Sequence, residues 1–286
     1  MIISSKELAS TCISTKHVEL SEGIKSKLTP QQLLTVERHR KTLDFLAFRY
    51  QVSSGAISAG FLIAPIFSKK KKLPVMVYLR GGTADFGIVN AGAMYLQLAT
   101  MAKLGYIVIG TQYTGNSLGS GTDTWGGEDL GAVMYLEDII KDLKRADDRN
   151  VTVIGGSRGA TMMYMALRKG FRAKYAVAIA GVSDLEEWIT HRVDMKEVFL
   201  GMFGADLIKA LKTRSVVNWI DELPKDTKYI LVHGQKDQVV SVSQSEKLAT
   251  LMKQYGLRFE LHMLQGLDHH ITTANPQVIA IINSLQ

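Results

Sequence analysis

The chain has 286 residues, 46% of them hydrophobic and 21% charged, with a net charge of +7 and one cysteine, Cys12. That length suits one large α/β domain or two small ones with a sizeable core, and the composition is ordinary for a globular chain. The lone cysteine excludes an intrachain disulfide and fits a reducing, cytoplasmic compartment.

The positive excess is spread along the chain, so no nucleic-acid or membrane partner is expected. Its one dense run, Lys69 to Lys72, lies between two apolar stretches with no aromatic residue among the lysines, and reads as a solvated loop. The N-terminus shows no basic segment leading into an apolar one, so no signal peptide is expected. The longest uncharged run, Phe86 to Ala102, is too short and too polar to span a bilayer. No internal repeat or low-complexity segment is present.

Residues 1–43 form an N-terminal segment, partly helical, in which Thr29-Pro30 reads as an N-cap and first helical residue. Residues 44–286 read as one domain. Leu43 to Tyr50 and Ala56 to Ala64, split by Ser53-Ser54-Gly55, read as a β-hairpin. A strand follows at Val75 to Leu79, then a helix capped by Asn90 and a strand at Tyr106 to Gly110. Glu128 to Lys144 reads as a helix with Leu130, Val133, Met134, Ile140 and Leu143 turned inward.

The most informative stretch comes next. Val151 to Ile154 reads as a buried strand, Gly155-Gly156-Ser157-Arg158-Gly159 as a tight turn, and Ala160 to Lys169 as a helix. Strand, G-x-S-x-G and helix form the context of a nucleophile elbow, in which a serine hydroxyl projects from a strained turn. After a strand at Tyr175 to Ala180 the strand–helix alternation breaks. Asp184 with Glu187 has the spacing of a capping box. Residues 183–226 read as a helical insertion over the sheet's C-terminal edge, expected to set substrate size. Alternation resumes with a strand at Lys228 to His233, a helix opened by a second capping box at Ser243 and Glu246, a strand at Phe259 to Leu264, and a helix from Asn275-Pro276. Repeated strand–helix units imply a mostly parallel sheet covered on both faces.

A serine hydroxyl needs a base beside it and a group orienting that base. In a parallel sheet the loops at the strands' C-terminal ends converge. Two such loops carry candidates: Asp237 after the strand at Lys228, and His269 after the last strand. Ser157, Asp237, His269 is the chain order of an α/β-hydrolase triad. His233 and Asp268 are weaker alternatives, read as supporting residues. The backbone N–H groups of Arg158 and of Gly81 or Gly82 are the candidate oxyanion donors. No metal-ligand cluster, phosphate loop or dinucleotide fingerprint occurs, so no metal or cofactor is expected.

These motifs resemble the prolyl oligopeptidase family of serine peptidases. The resemblance rests on Tyr78-Leu-Arg-Gly-Gly82, Gly110 to Gly115 with Gly126-Gly-Glu-Asp129, the elbow, Leu231-Val-His-Gly-Gln-Lys-Asp-Gln-Val239, and Gly266-Leu-Asp-His269. It covers roughly residues 45–286 and implies an α/β-hydrolase fold without the family's propeller. It also implies a Ser–Asp–His peptidase acting on small peptides or amides. A carboxylesterase with the same triad is the alternative; a non-catalytic binding protein on this scaffold is the third reading. Departures include Arg80 where the family often has His or Tyr, Thr114 where it has Arg, Ala160 where it often has Gly, and His270 where the residue is usually small. Arg80, Tyr113, Trp125 and Trp188 are the candidates for a substrate pocket. The partner is then a small molecule or short peptide.

Overall fold

The computed structural model describes residues 7–69, 71–117 and 119–285; Lys70 of the lysine run and Met1 to Lys6 lie outside them. One nine-stranded sheet runs through the molecule in the order β1-β2-β3-β5-β4-β6-β7-β8-β9. Its strands are β1 Ser14–His17, β2 Leu43–Gln51, β3 Ile57–Pro65, β4 Leu73–Leu79, β5 Ile107–Thr111, β6 Ala146–Gly156, β7 Tyr175–Ile179, β8 Lys228–Gly234 and β9 Arg258–Leu264. β1, β2, β3 and β5 pair antiparallel in that order, and β5, β4, β6, β7, β8 and β9 form a parallel array. This is the α/β-hydrolase fold.

Alternate residues of each strand enter opposite layers, as the two-residue period of a strand requires. Val75, Val77, Val153, Ala176, Tyr229 and Leu231 pack on one face beneath helices that include Arg158–Arg168 and Ser243–Gln254. Met76, Ile154, Val177, Ile230 and Val232 pack on the other beneath Ala99–Lys103 and Pro276–Asn283. Burial on both faces is why the central strands read as unbroken apolar runs. A third apolar cluster, with Trp125, Trp188, Phe199 and Leu211, fills the space between the sheet edge and the helices Leu185–His191, Val193–Phe203 and Leu207–Arg214 of the 183–226 stretch.

Several local expectations need correction. β1 leaves no mark in the sequence: Ser14-Thr-Lys-His17 carries no apolar alternation, yet it pairs with β2 and ties the N-terminal segment to the sheet. The helix read over Glu128 to Lys144 is two, Leu130–Met134 and Leu136–Asp142, joined at Tyr135. The capping box at Ser243 does not form. Val242 is the N-cap, and the Ser243 hydroxyl turns to Ser241 and Glu187. At Asp184 half the box forms. Its carboxylate accepts from the Glu187 N–H at 3.1 Å, while the Glu187 side chain is drawn to Lys247. Among the described residues no helix is long and apolar enough to cross a membrane.

The tightest backbone approach ties the helix Arg158–Arg168 to β4. A Cβ on Gly159 would stand 2.0 Å from the Leu79 carbonyl oxygen, whereas one on Gly156 would meet nothing within 4 Å. Gly159→Ala is therefore expected to cost about 3 kcal/mol or more, and Gly156→Ala to stay within about 0.5 kcal/mol. Denaturant unfolding of the two variants checks the contrast.

Candidate active site

β6 ends at Gly156, and the helix Arg158–Arg168 begins two residues later. Ser157, between them, has φ 52° and ψ −119°, a conformation an L-residue holds only under strain. Its N–H donates to Ile179 O of β7 at 2.8 Å, which fixes the turn to the neighbouring strand. The residue is half-buried at the strand's C-terminal end. The N–H of Arg158 is the first of its helix, so no carbonyl within the helix can satisfy it.

The segment after β4 runs beside this turn. A Cβ on Gly81 would lie 3.2 Å from Ser157 Cβ, so the Gly81 backbone borders the serine. Arg80 shapes the segment from within. Its guanidinium donates to the carbonyls of Gly81 (3.0 Å), Ala84 (2.8 Å), Phe86 (2.9 Å) and Gln112 (3.1 Å). Burial pushes its pKa down. With 1% exposure and its donors committed to these carbonyls, Arg80 is not a pocket residue as expected; it is the pin around which residues 80–86 curl.

Tyr113 is corrected in the same way. It is fully buried with φ 68°, and its hydroxyl donates to Arg80 O at 2.9 Å. Its ring centroid lies 5.1 Å from the guanidinium carbon of Arg80 and 4.8 Å from that of Arg158. The Arg158 guanidinium carbon also lies 4.8 Å from the Trp125 ring centroid, a second cation–π contact. The Arg158 guanidinium is itself clamped. It donates to Gly82 O (3.1 Å), to both carboxylate oxygens of Asp123, and to Asp129 (2.9 Å). Burial works against the Asp123 carboxylate, but the bonds and charge of Arg158 outweigh it and hold its pKa down. Burial dominates at Asp129 and raises its pKa. Asp123 had no signal in the sequence pattern, and Asp129 appeared only inside a longer motif.

On the other side of Ser157, the exits of β8 and β9 are stitched together by Gln235 N–H to Leu264 O (3.1 Å) and Lys236 N–H to Leu267 O (2.8 Å). This brings Asp237 and His269 together. His269 Nδ1 donates to Asp237 Oδ2 at 2.7 Å, which directs Nε2 away from the carboxylate. Asp237 Oδ1 accepts from the N–H groups of Val239 (2.8 Å) and Val240 (2.9 Å). His233, set aside in the sequence as a supporting residue, is a third partner: its Nε2 lies 3.2 Å from Asp237 Oδ2. Burial alone would raise the Asp237 pKa. The hydrogen bonds from His233, His269 and Val240 overcome it and hold the carboxyl far below the ordinary range. Asp268 and His270 are exposed, and Asp268 accepts the His270 N–H at 2.8 Å. The Ser157 hydroxyl is not hydrogen-bonded to His269.

Trp125 and Trp188 pack against each other at 5.9 Å and against Phe199, with 2% and 6% exposure, so neither presents an open pocket wall. Trp188 Nε1 donates to Val239 O at 2.8 Å, tying the helical stretch to the Asp237 loop.

The family model described as "Prolyl oligopeptidase family" matches residues 93–285. The chain belongs to the prolyl oligopeptidase family. Its relatives include the uncharacterized peptidase YtmA of Bacillus subtilis, 27% identical over 221 residues, covering 77% of this chain and 84% of YtmA. Bovine dipeptidyl peptidase 4 is 24% identical over 265 residues, covering 85% of this chain but 32% of that one. Among solved structures, a puromycin-hydrolyzing peptidase of Mycobacterium tuberculosis superposes with a TM-score of 0.69 at 21% identity, over 82% of this chain and 37% of that one. The acylaminoacyl peptidase of Pyrococcus horikoshii gives 0.67 at 20% identity, over 85% and 40%. The chain thus spans most of YtmA and about a third to two fifths of the other three.

In this member of the family, Arg158 offsets the buried carboxylate of Asp129 and the half-buried one of Asp123. Removing it as Arg158→Met leaves them uncompensated and is expected to destabilise the fold by about 3–5 kcal/mol. Arg168→Met, whose partner Glu222 is exposed, is expected to cost clearly less. Thermal or denaturant unfolding of the pair checks the difference.

Proposed function

We propose that the protein is a serine peptidase that cleaves short peptides or amides through an acyl-enzyme on Ser157. The observation that carries this reading is the 2.7 Å bond from His269 Nδ1 to Asp237, on adjacent strand exits at the same edge of the parallel sheet as the strained serine. Asp237 holds His269 in the tautomer whose Nε2 can take the Ser157 proton. Ser157 Oγ attacks the substrate carbonyl. The resulting oxyanion is received by the N–H of Arg158 and a backbone N–H of the Gly81-Gly82 segment. His269 then delivers its proton to the leaving amine, and the acyl-enzyme is hydrolysed by water activated in the same way.

The pinned carbonyls of the Gly81–Phe86 segment support this reading, because an oxyanion site works only if its donors are already oriented. The helical stretch between β7 and β8 lies over the same edge, with Trp188 anchored to the Asp237 loop, and would limit the size of the acyl group. Family membership favours amide substrates over esters. Bovine dipeptidyl peptidase 4 and the Pyrococcus acylaminoacyl peptidase carry peptidase names, and we extend short-peptide cleavage to this chain on that basis.

The Asp237 carboxyl stays ionised well into acid, since its folded pKa is depressed. Its contribution to stability is present above the ordinary aspartate pKa of about 3.9 and is lost only as pH falls through the lower folded value. The acid limb of kcat/KM should therefore report one protonation, that of an imidazole base, with activity declining toward low pH. Ser157→Ala should fold normally and lose roughly three to six decades in kcat. Matched ester and anilide substrates with one acyl group separate the readings. Turnover of both supports the peptidase. Ester turnover alone promotes the carboxylesterase, and no turnover of either, with no fluorophosphonate labelling, promotes a binding role.

A further inference from the structure

Asp237 is held by two histidines, and the reaction as described uses one. His233 is completely buried at the end of β8. Its Nε2 faces two acceptors, Asp237 Oδ2 at 3.2 Å and Val240 O at 3.0 Å, and its Nδ1 lies 2.7 Å from Ser245 Oγ. A ring nitrogen between a carboxylate and a carbonyl must carry the hydrogen, because neither partner can donate one. Nδ1 then accepts from the Ser245 hydroxyl. Ser245 stands in the helix Ser243–Gln254 with 5% exposure, so the outer end of the chain of bonds is also fixed.

From this geometry we infer that His233 is a positioning residue for catalysis, the inner half of a relay running Ser245, His233, Asp237, His269. The inference rests on the triad reading above. His233 and His269 compete for the same oxygen, Asp237 Oδ2, while Val239 and Val240 occupy Oδ1. Two consequences follow. The carboxylate cannot rotate about its own axis without breaking bonds on both oxygens, so the direction in which it presents Oδ2 to His269 is set. The His233 N–H also draws charge from Oδ2, which makes the carboxylate a weaker acceptor for His269. The inner histidine thus steadies the outer one while limiting how strongly Asp237 favours its protonated form.

Asp237 is the only charged group hydrogen-bonded to His233 among the described residues. Tyr229 of β8 is buried with its hydroxyl on Pro224 O, Glu260 and His262 of β9 pair with each other, and the titratable groups of the surrounding loops and helix face solvent. Lys236 lies on the β8 exit, Glu246 and Lys247 on the Ser243–Gln254 helix, and Asp268 and His270 on the β9 exit. His270 stands 6.2 Å from His269, ring to ring.

The test is the pH dependence of kcat/KM on one anilide or ester substrate for the full chain and four variants. His233→Leu removes the donor; His233→Gln keeps an N–H near the position of Nε2; Ser245→Ala frees the tautomer. Ser157→Ala reports on the triad itself. The relay predicts that His233→Leu loses about 10²-fold in kcat/KM, with its acid limb moved to higher pH by about half a unit or more. His233→Gln recovers most of the loss. Ser245→Ala shifts the limb in the same direction by less, and decides the matter if His233→Leu does not fold. A merely structural histidine gives activity that tracks the folded fraction with the acid limb unmoved in all three, and that result overturns the relay while leaving the triad intact. Activity retained in Ser157→Ala overturns both.

Discussion

The backbone of Ser157 is the constraint around which the rest is built. A residue at φ 52° and ψ −119° costs about 1–3 kcal/mol, and it persists only where its surroundings leave no alternative. Here the N–H of Ser157 is bound to β7. A Cβ on Gly155 would stand 2.3 Å from Gly159 O, and one on Gly159 would stand 2.0 Å from Leu79 O, so the turn is pressed between its own strand and β4. The parallel strands on either side are buried on both faces, and their burial supplies the free energy that holds the turn. Strain at the serine and packing in the sheet are therefore parts of one arrangement.

Charge extends that arrangement to the neighbouring loops. Arg158 belongs to the elbow by sequence, Gly82 to the β4 exit, and Asp123 and Asp129 to the segment after β5; one guanidinium binds all of them. Arg80 does the same from the β4 exit, reaching Gln112 after β5. Buried in this way, neither cation is placed to meet a substrate. Each converts a flexible loop into a fixed frame. On the far side, the Asp237 loop is held by its own backbone N–H groups and by two histidines, and Trp188 of the helical stretch is tied to it.

Much of this could be read from the sequence, for physical reasons. The elbow, the Asp237 loop and the His269 loop each sit at the end of an apolar run, and strand order alone brings strand ends together. The edge strand at Ser14–His17 could not be read, because its polar residues carry no period and it forms only through pairing with β2. Arg80 and Tyr113 read as pocket residues in the sequence and are buried in the structure. A charged or aromatic residue beside a catalytic motif looks the same in sequence whether it faces a ligand or is buried beneath the loop. Only the carbonyls of Gly81, Ala84, Phe86 and Gln112 around Arg80 separate the two. The second histidine on Asp237 was visible as His233, four residues away, but its bond depends on how the chain turns after β8.

The central claim is that Ser157 becomes acylated during turnover. The most direct measurement mixes the protein with an activated acyl ester, quenches in acid within the first turnovers, and maps the intact and digested masses. The account predicts one added acyl group, confined to the peptide containing Ser157 and absent from Ser157→Ala. Turnover with the acyl group on another residue, or sustained equally by Ser157→Ala, would contradict it.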